Sequence, residues 1–379
     1  MNLLHRHIFA NVFLTCAASV AMFGFVLMLG NAMKDLLGPM LAGQLAPDTF
    51  VRLVLLLVPF VIYYALPMGM LTGILLVLGR MSSDREITAM RASGLSVAWL
   101  SAPIIFLALL GVGAALLINF HFMPVARLAY QREFADAMRQ NPLSFIVPRT
   151  FIRDFPGVVL YVGEKEGSRL KDFWLWELDG QNRVRRFARA DAGRLDYDEE
   201  GNKLVLTLEK AQAEVRDDKD PESFARVHGS AAWEHATFDL PLNRLTGERS
   251  VQRKLKWYTF PQLMAEWTRL QQPEPGVTRE ERATRLMRVQ ITIQEKCATA
   301  FSVLSFAMIA IPLGIKVSRK ETSANLGLGL LLALGYYFAS IMAGWFDNNP
   351  ALRPDLIVWL PNIIFQGLGL WLFYKVDRA

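Results

Sequence analysis

Arg80-Met-Ser-Ser-Asp-Arg-Glu-Ile-Thr-Ala-Met-Arg-Ala-Ser-Gly94 is the stretch that decides how this chain is organised. Long apolar runs flank it, so a membrane returns the chain to water here. The spacing predicts a short helix with both ends marked. Ser83 is placed to cap its N-terminus and Glu86, three residues on, to reach back, the capping-box pattern. Gly94 suits the left-handed position just past the C-terminus. Ile87, Met90 and Arg91 fall at helical spacing on one face, with Glu86 beside them. Two roles fit such a helix equally: docking into a groove of another protein, or lying at the lipid interface as a spacer between two spans.

The flanking runs carry the fold class. Ile8–Met33 and Leu53–Gly79 contain no charged residue. Each exceeds the roughly 20 residues that a helix needs to cross about 30 Å of hydrocarbon. Further spans are expected at about 97–122, 297–315, 326–346 and 355–374. The chain has 379 residues, 53% of them hydrophobic and only 20% charged. An integral membrane protein with six transmembrane helices follows. His5-Arg6-His7 before the first run is reminiscent of a signal peptide, but the run is too long for an h-region and more spans follow, so an uncleaved first span is expected. Gly69 and Gly73 form a small-xxx-small pair within the second span, which also holds Pro59 and Pro67.

A water-soluble segment separates the third and fourth spans. Arg127–Met138 is charged and helical in pattern, and strands follow. Val158–Val162 is β-rich, Phe173–Leu178 is apolar on both faces and breaks at Asp179-Gly180, and Leu204–Glu209 alternates with period two. Glu199-Glu-Gly-Asn202 is a turn signal. Short strands at this spacing predict a sandwich, a jelly roll or an open barrel. Strands apolar on both faces also fit a β-groove around something greasy, although a sandwich core is the plainer explanation. Phe260–Leu270 is amphipathic, Pro273 and Pro275 break it, and Arg279–Gln294 is a charged helix entering the fourth span. The expected division is 1–126 for helices 1 to 3 with the surface helix at 82–94, 127–290 for the β-domain with flanking helices, and 291–379 for helices 4 to 6.

Charge asymmetry predicts orientation. Arg6, Arg80, Arg85, Arg91, Lys316, Arg319, Lys320, Lys375 and Arg378 sit at the termini and on two loops, against Lys34, Arg52 and Arg353 on the opposite side. Both termini are therefore expected in the cytoplasm and the β-domain outside. The same rule accounts for the net charge of +6, which does not imply nucleic acid. Cys16 and Cys297 lie in or beside apolar spans, and five scattered histidines offer no zinc spacing, so neither metal nor cofactor is expected. No phosphate-binding G-x-x-x-x-G-K-[ST] loop and no hydrolase or kinase motif occurs. The span centres lack ionisable residues, which disfavours an ion-coupled transporter. Any uphill transport would draw its energy from a partner.

The order of elements resembles the lipopolysaccharide-export permease family of the LptF/LptG type. The resemblance rests on Asp84-Arg-Glu-Ile-Thr-Ala-Met-Arg-Ala-Ser-Gly94, on Ala310-Ile-Pro-Leu-Gly314 and on Trp359-Leu-Pro-Asn362, and it extends over essentially the whole chain. It implies a non-catalytic permease subunit in the inner membrane. Such a subunit pairs with a paralogous six-span permease and binds a cytoplasmic ABC ATPase dimer. It passes lipopolysaccharide to a periplasmic β-jelly-roll-like domain and on to a bridge of similar domains. The resemblance assigns Asp84, Glu86, Ile87, Met90 and Arg91 to coupling with the ATPase, Glu86 as the polar contact and Ile87 and Met90 as apolar docking residues. Lys34 matches a basic residue that faces lipid phosphates and leans toward the G-type, and Arg52 and Arg353 share its level. Otherwise Lys34 snorkels as a span terminator. The basic run Arg183, Arg185, Arg186, Arg189 and Arg194 fits a solvated strand face better than a phosphate site, and Trp174 and Trp176 fit a core or groove wall. A membrane-anchored ligand-binding sensor or scaffold is the alternative, but no cytoplasmic signalling domain accompanies it. A lipoprotein-release permease is disfavoured by six spans with a central β-insertion.

Overall fold

The computed structural model describes residues 3–41, 45–140, 148–152, 157–166, 169–179, 183–198, 203–216, 227–241, 255–272, 278–316, 322–345 and 353–378. Its helices are α1 Leu3–Asp35, α2 Leu37–Leu41, α3 Pro47–Leu56, α4 Val58–Ser83, α5 Glu86–Ala92, α6 Val97–Leu117, α7 Met123–Gln140, α8 Phe260–Gln271, α9 Arg279–Lys316, α10 Thr322–Gly344, α11 Pro354–Ile357 and α12 Leu360–Asp377. Its strands are β1 Phe151–Ile152, β2 Val158–Glu166, β3 Arg169–Leu178, β4 Val184–Asp198, β5 Lys203–Arg216 and β6 Val227–Pro241. Six helical stretches are long and apolar enough to span a membrane: Leu3–Asp35, Val58–Ser83, Val97–Phe134, Glu281–Lys316, Gly327–Gly344 and Pro354–Asp377. The turns at 199–202, 273–277, 317–321 and 346–350 lie outside the described residues.

The chain forms two compact units, one of Met1–Ala32, Val54–Ala129 and Lys254–Ala379, the other of Met33–Leu53 and Tyr130–Arg253. This differs from the division expected at 127 and 290. Residues 255–290 belong with the membrane helices because Leu263, Leu270 and Val289 bury themselves with Phe120, Tyr258 and Trp267. The second span also starts later than expected. The run from Leu53 is broken at Leu57, and Pro59, which has no N–H, sits in the first turn of α4 where none is needed.

The membrane unit is organised on α9, a 38-residue helix. Ala300, Val303, Phe306, Ala307, Ile309, Ala310 and Ile311 are fully buried, as are Leu71, Ile74 and Leu75 of α4. Gly314 allows the close approach: a Cβ there would lie 2.8 Å from Leu78 Cβ. The Gly69/Gly73 pair has a definite partner in α1, since a Cβ on Gly73 would lie 2.6 Å from Cys16 Cα and one on Gly69 2.7 Å from Val20 N. Polar atoms join the remaining helices. Asn362 accepts from Ser305 Oγ (2.7 Å) and Tyr336 Oη (3.1 Å) and donates to Ala298 O (2.7 Å). Its amide therefore ties α12 to α9 and α10, polar glue of the kind that small and amide side chains supply in membranes. Between α6 and α7 the helix widens into one π-turn, Ile118–Phe122. Lys296 Nζ bonds Asn119 O (2.9 Å) and Tyr258 O (3.0 Å), and Asn119 Nδ2 bonds Lys296 O (3.0 Å).

Among the described residues the β unit is one antiparallel six-stranded sheet with its strands in chain order. That order is a meander, not the Greek-key connectivity of a jelly roll. One level of the sheet departs from regular strand geometry. Asp172 and Lys210 adopt φ 51° and 53°. They lie at one level with Gly163 and Asp191, between the rows Val162–Phe173–Ala190–Ala211 and Glu164–Lys171–Ala192–Glu209. At this level the inward-facing set shifts by one residue, from Leu170 to Phe173 and from Leu208 to Ala211, all buried. Pairing keeps its register on both sides of this level, so the facing of the side chains changes without an inserted residue. Gly163 has no room for a side chain, as a Cβ would lie 2.9 Å from Asp172 Cβ.

Gly73→Val drives a methyl group into the α1 backbone and is expected to cost about 1–3 kcal/mol, read as a lower unfolding temperature in detergent. Gly30→Val, with nothing within 4 Å of the new Cβ, leaves that temperature unchanged.

Candidate functional site

The surface helix of the opening stretch exists, but its ends are made differently from the capping box expected of Ser83 and Glu86. Ser83 is the last residue of α4, and Arg85 turns the chain in the left-handed region at φ 63° with no side-chain cap. Ser82 Oγ instead donates to Ile315 O (2.8 Å), fastening the end of α4 to the end of α9. The C-terminal expectation holds. Gly94 has φ 88°, Gly94 N bonds Arg91 O (3.0 Å) and Leu95 N bonds Met90 O (3.2 Å). This double closure is the Schellman motif. Ser96 then caps α6 by accepting from Trp99 N (3.2 Å).

Ile87 is 4% exposed and belongs to the membrane core with Ile8, Leu78, Met81, Leu100 and Ile104. Met90 is half-buried against the same cluster. The side chain of Ile87, expected as an apolar docking residue, is enclosed by the chain's own helices and fixes α5 in place. Arg91 is half-buried, and the exposed surface is Asp84, Arg85, Glu86, Thr88, Ala89 and Ala92. Glu86 opens the helix, where the macrodipole favours a negative charge. Asp84 is 3.7 Å from Arg80, with both side chains exposed, a pair of little energetic weight. Two contacts beside α5 were not legible in sequence. His5 Nε2 lies 3.1 Å from Trp99 O, and the two rings sit 3.8 Å apart. The His5-Arg6-His7 signal pointed to the span's start, and its partner was invisible.

The basic candidates differ sharply. Lys34 is exposed in the last turn of α1, and among the described residues it has no carboxylate partner. Arg52 is held by Asp48 (3.6 Å) and Glu133 (3.3 Å). Arg353, at φ 49°, is 3.7 Å from Asp355. Asp355 is 3% exposed and accepts from Gln290 Nε2 (2.9 Å), so Arg353 offsets a buried carboxylate. Lys34 and Arg52 belong to one compact unit and Arg353 to the other. The basic run on β4 meets carboxylates: Arg183 with Asp179 (2.8 Å), Arg186 with Glu177 (3.6 Å), Arg189 with Asp172 (3.8 Å) and Arg194 with Asp196 (3.0 Å). The run does not form one face: Arg186 has the parity of the buried Ala188 and Ala190, whereas Arg189 lies on the opposite face beside Trp174. Lys165 was passed over in sequence. It pairs in register with the buried Leu170, and burial holds its ammonium below the usual lysine range.

The six spans, the inserted antiparallel sheet and the pinned helix between spans two and three make one combination. The family model for the lipopolysaccharide export system permease LptF/LptG matches residues 6–375. The chain belongs to the LptF/LptG family. Its relatives include the lipopolysaccharide export system permease protein LptF of Escherichia coli strain K12, 23% identical over 344 residues, which covers 88% of this chain and 85% of that protein. LptF of Shigella flexneri matches to the same extent. The family motifs acquire structural reasons: Gly314 admits α4, and Asn362 joins three helices.

Ile87→Ala empties a buried site and is expected to cost about 2–5 kcal/mol locally. Hydrogen exchange over 86–92 should accelerate while α4 and α6 keep their protection.

Proposed function

We propose that this LptF/LptG-family chain is the transmembrane permease subunit of an ABC-type exporter that extracts lipopolysaccharide from the inner membrane and passes it toward the outer membrane. The observation that carries this is the build of α5: an exposed acid, Glu86, on a short helix whose other face, Ile87 and Met90, is locked into the membrane core. A surface that is open to a partner and rigidly joined to several spans is suited to transmit force. ATP hydrolysis belongs to a separate cytoplasmic ATPase dimer, consistent with the missing phosphate-binding loop. Closure of that dimer moves α5. Because Ile87 packs with Ile8 of α1, Leu78 of α4 and Leu100 of α6, and Ser82 grips Ile315 of α9, the motion reaches four spans through close-packed, poorly compressible contacts. A paralogous permease completes the cavity that the motion squeezes.

Both termini and α5 lie in the cytoplasm and the sheet lies in the periplasm, by the positive-inside argument. In this reading the β unit opens along its buried apolar face, Leu170, Phe173, Leu206 and Leu208, to form a trough for acyl chains on their way to a bridge protein with a similar domain. Lys34, in the last turn of α1 and without a carboxylate partner among the described residues, meets lipid phosphate.

Glu86→Lys reverses an exposed charge without disturbing the core. It is expected to cost about 2–5 kcal/mol of partner affinity, read as loss of the co-purifying ATPase and of growth in a strain that depends on this chain. Normal complex yield with normal growth would sink the coupling role. Lys34→Ala should weaken lipopolysaccharide capture in a salt-sensitive way, whereas Arg52→Ala, which removes a charge already balanced by Asp48 and Glu133, should leave it unchanged. Capture assays at low and high ionic strength distinguish the two.

A further inference from the structure

The face of the sheet opposite Leu160, Val162 and Phe173 has no part in the function above. Cross-strand pairing puts Phe151, Tyr161 and Trp174 in one row and Val159, Trp176 and Phe187 in the next. Their rings touch in a continuous strip. Centroids are 5.1 Å apart for Phe151–Tyr161, 5.8 Å for Phe151–Trp176, 5.8 Å for Trp174–Trp176, 5.5 Å for Trp174–Phe187 and 5.9 Å for Trp176–Phe187. The two indoles are nearly parallel, at 22°. Phe151 is 57% exposed, and the other four rings are half-buried. Solvated strand faces ordinarily carry polar side chains, so an open strip of five aromatics marks a binding surface.

Polar groups lie inside the strip, not around it. The Arg189 guanidinium sits 4.6 Å above the Trp174 ring and 3.8 Å from Asp172. Asp172 accepts from Trp174 Nε1 at 2.7 Å. Gln212 and Glu214 continue the two rows onto β5. We propose that this strip is a saccharide platform that holds the oligosaccharide part of a glycolipid. A pyranose has an apolar C–H face that lies flat on an aromatic ring and a rim of hydroxyls that bond to guanidinium, carboxylate and amide groups. The strip supplies both within one ring's width. The core of a protein contact is depleted in charge, which fits Arg189 and Asp172 poorly. Single-stranded nucleic acid needs a cationic groove, and here the cation over the rings is matched by a carboxylate. Acyl chains fit the trough on the other face. The proposal rests on the exporter reading in one respect: a glycolipid crossing this domain presents acyl chains to the trough and sugars to the strip.

The test uses the full chain in phosphatidylcholine nanodiscs, titrated with fully deacylated lipopolysaccharide oligosaccharide and followed by calorimetry. Saturable binding is expected. Trp176→Ala should weaken it about tenfold, as loss of one stacked ring predicts, and Trp176→Phe should restore most of it. Arg189→Leu, at an exposed position, should also weaken it without removing a ring. Trp233→Ala, whose residue pairs with Ala211 on the opposite face, should leave it unchanged. No saturable binding, or equal affinity in Trp176→Ala, overturns the platform. So does loss of a co-purifying permease from Trp176→Ala with saccharide affinity unchanged, which would make the strip a protein contact. A photo-crosslinker at Phe173, exposed to intact lipopolysaccharide, separates the two readings. Capture there without oligosaccharide binding overturns the platform alone, whereas oligosaccharide binding without capture supports the platform and counts against the exporter.

Discussion

The close contact of α9 with its neighbours is the constraint on which the membrane unit depends. In hydrocarbon there is no hydrophobic drive to bring helices together, so they hold through shape and through polar atoms that find partners. The chain meets both needs on one helix. Small or compact residues of α9 sit fully buried against α4, with Gly314 against Leu78. The Asn362 amide reaches across to Ser305, Ala298 and Tyr336. Interhelical hydrogen bonds in membranes average about 0.6 kcal/mol each, so these bonds add modestly to stability. Their larger effect is on specificity: a buried amide without partners costs about 1–3 kcal/mol, which penalises any other rotation of α12.

The same economy governs α5. A seven-residue helix is far below the length at which an isolated helix is stable. It persists because Ile87 is sunk into the membrane core and because Arg85 and Gly94 reverse the chain at its two ends. An exposed face held this firmly can pass a push inward without absorbing it in local unfolding. Apolar burial on one side and charge on the other are both required, and the two faces answer to different neighbours.

In the β unit, one level of residues sets which side chains face inward. Gly163, Asp172, Asp191 and Lys210 align across four strands and shift the phase of every inward-facing residue. The buried apolar residues lie on one face and the aromatic strip on the other. Phe173-Trp-Leu-Trp176 is apolar on both faces: Phe173 belongs to the buried face, and Trp174 and Trp176 to the aromatic strip.

Much of this was legible in the residues. Uncharged runs longer than a bilayer is thick can only be spans, so the six helices and the inserted sheet followed from composition and period. Gly94 marked a left-handed turn because few other residues occupy that conformation without strain. Tertiary structure alone decided which face of α5 is available, because helical spacing places Ile87 beside Glu86 but cannot say which side meets the core. It also decided that Arg52 is balanced by Glu133, 81 residues away, and that the Arg353 partner Asp355 is buried, while Lys34 has no carboxylate partner among the described residues. Ser83 was misassigned for a related reason: α4 runs on one turn further than its apolar pattern, because Ser82 finds Ile315 on α9. Periodicity reports how a segment divides oil from water, and the identity of its neighbours is settled only when the helices pack.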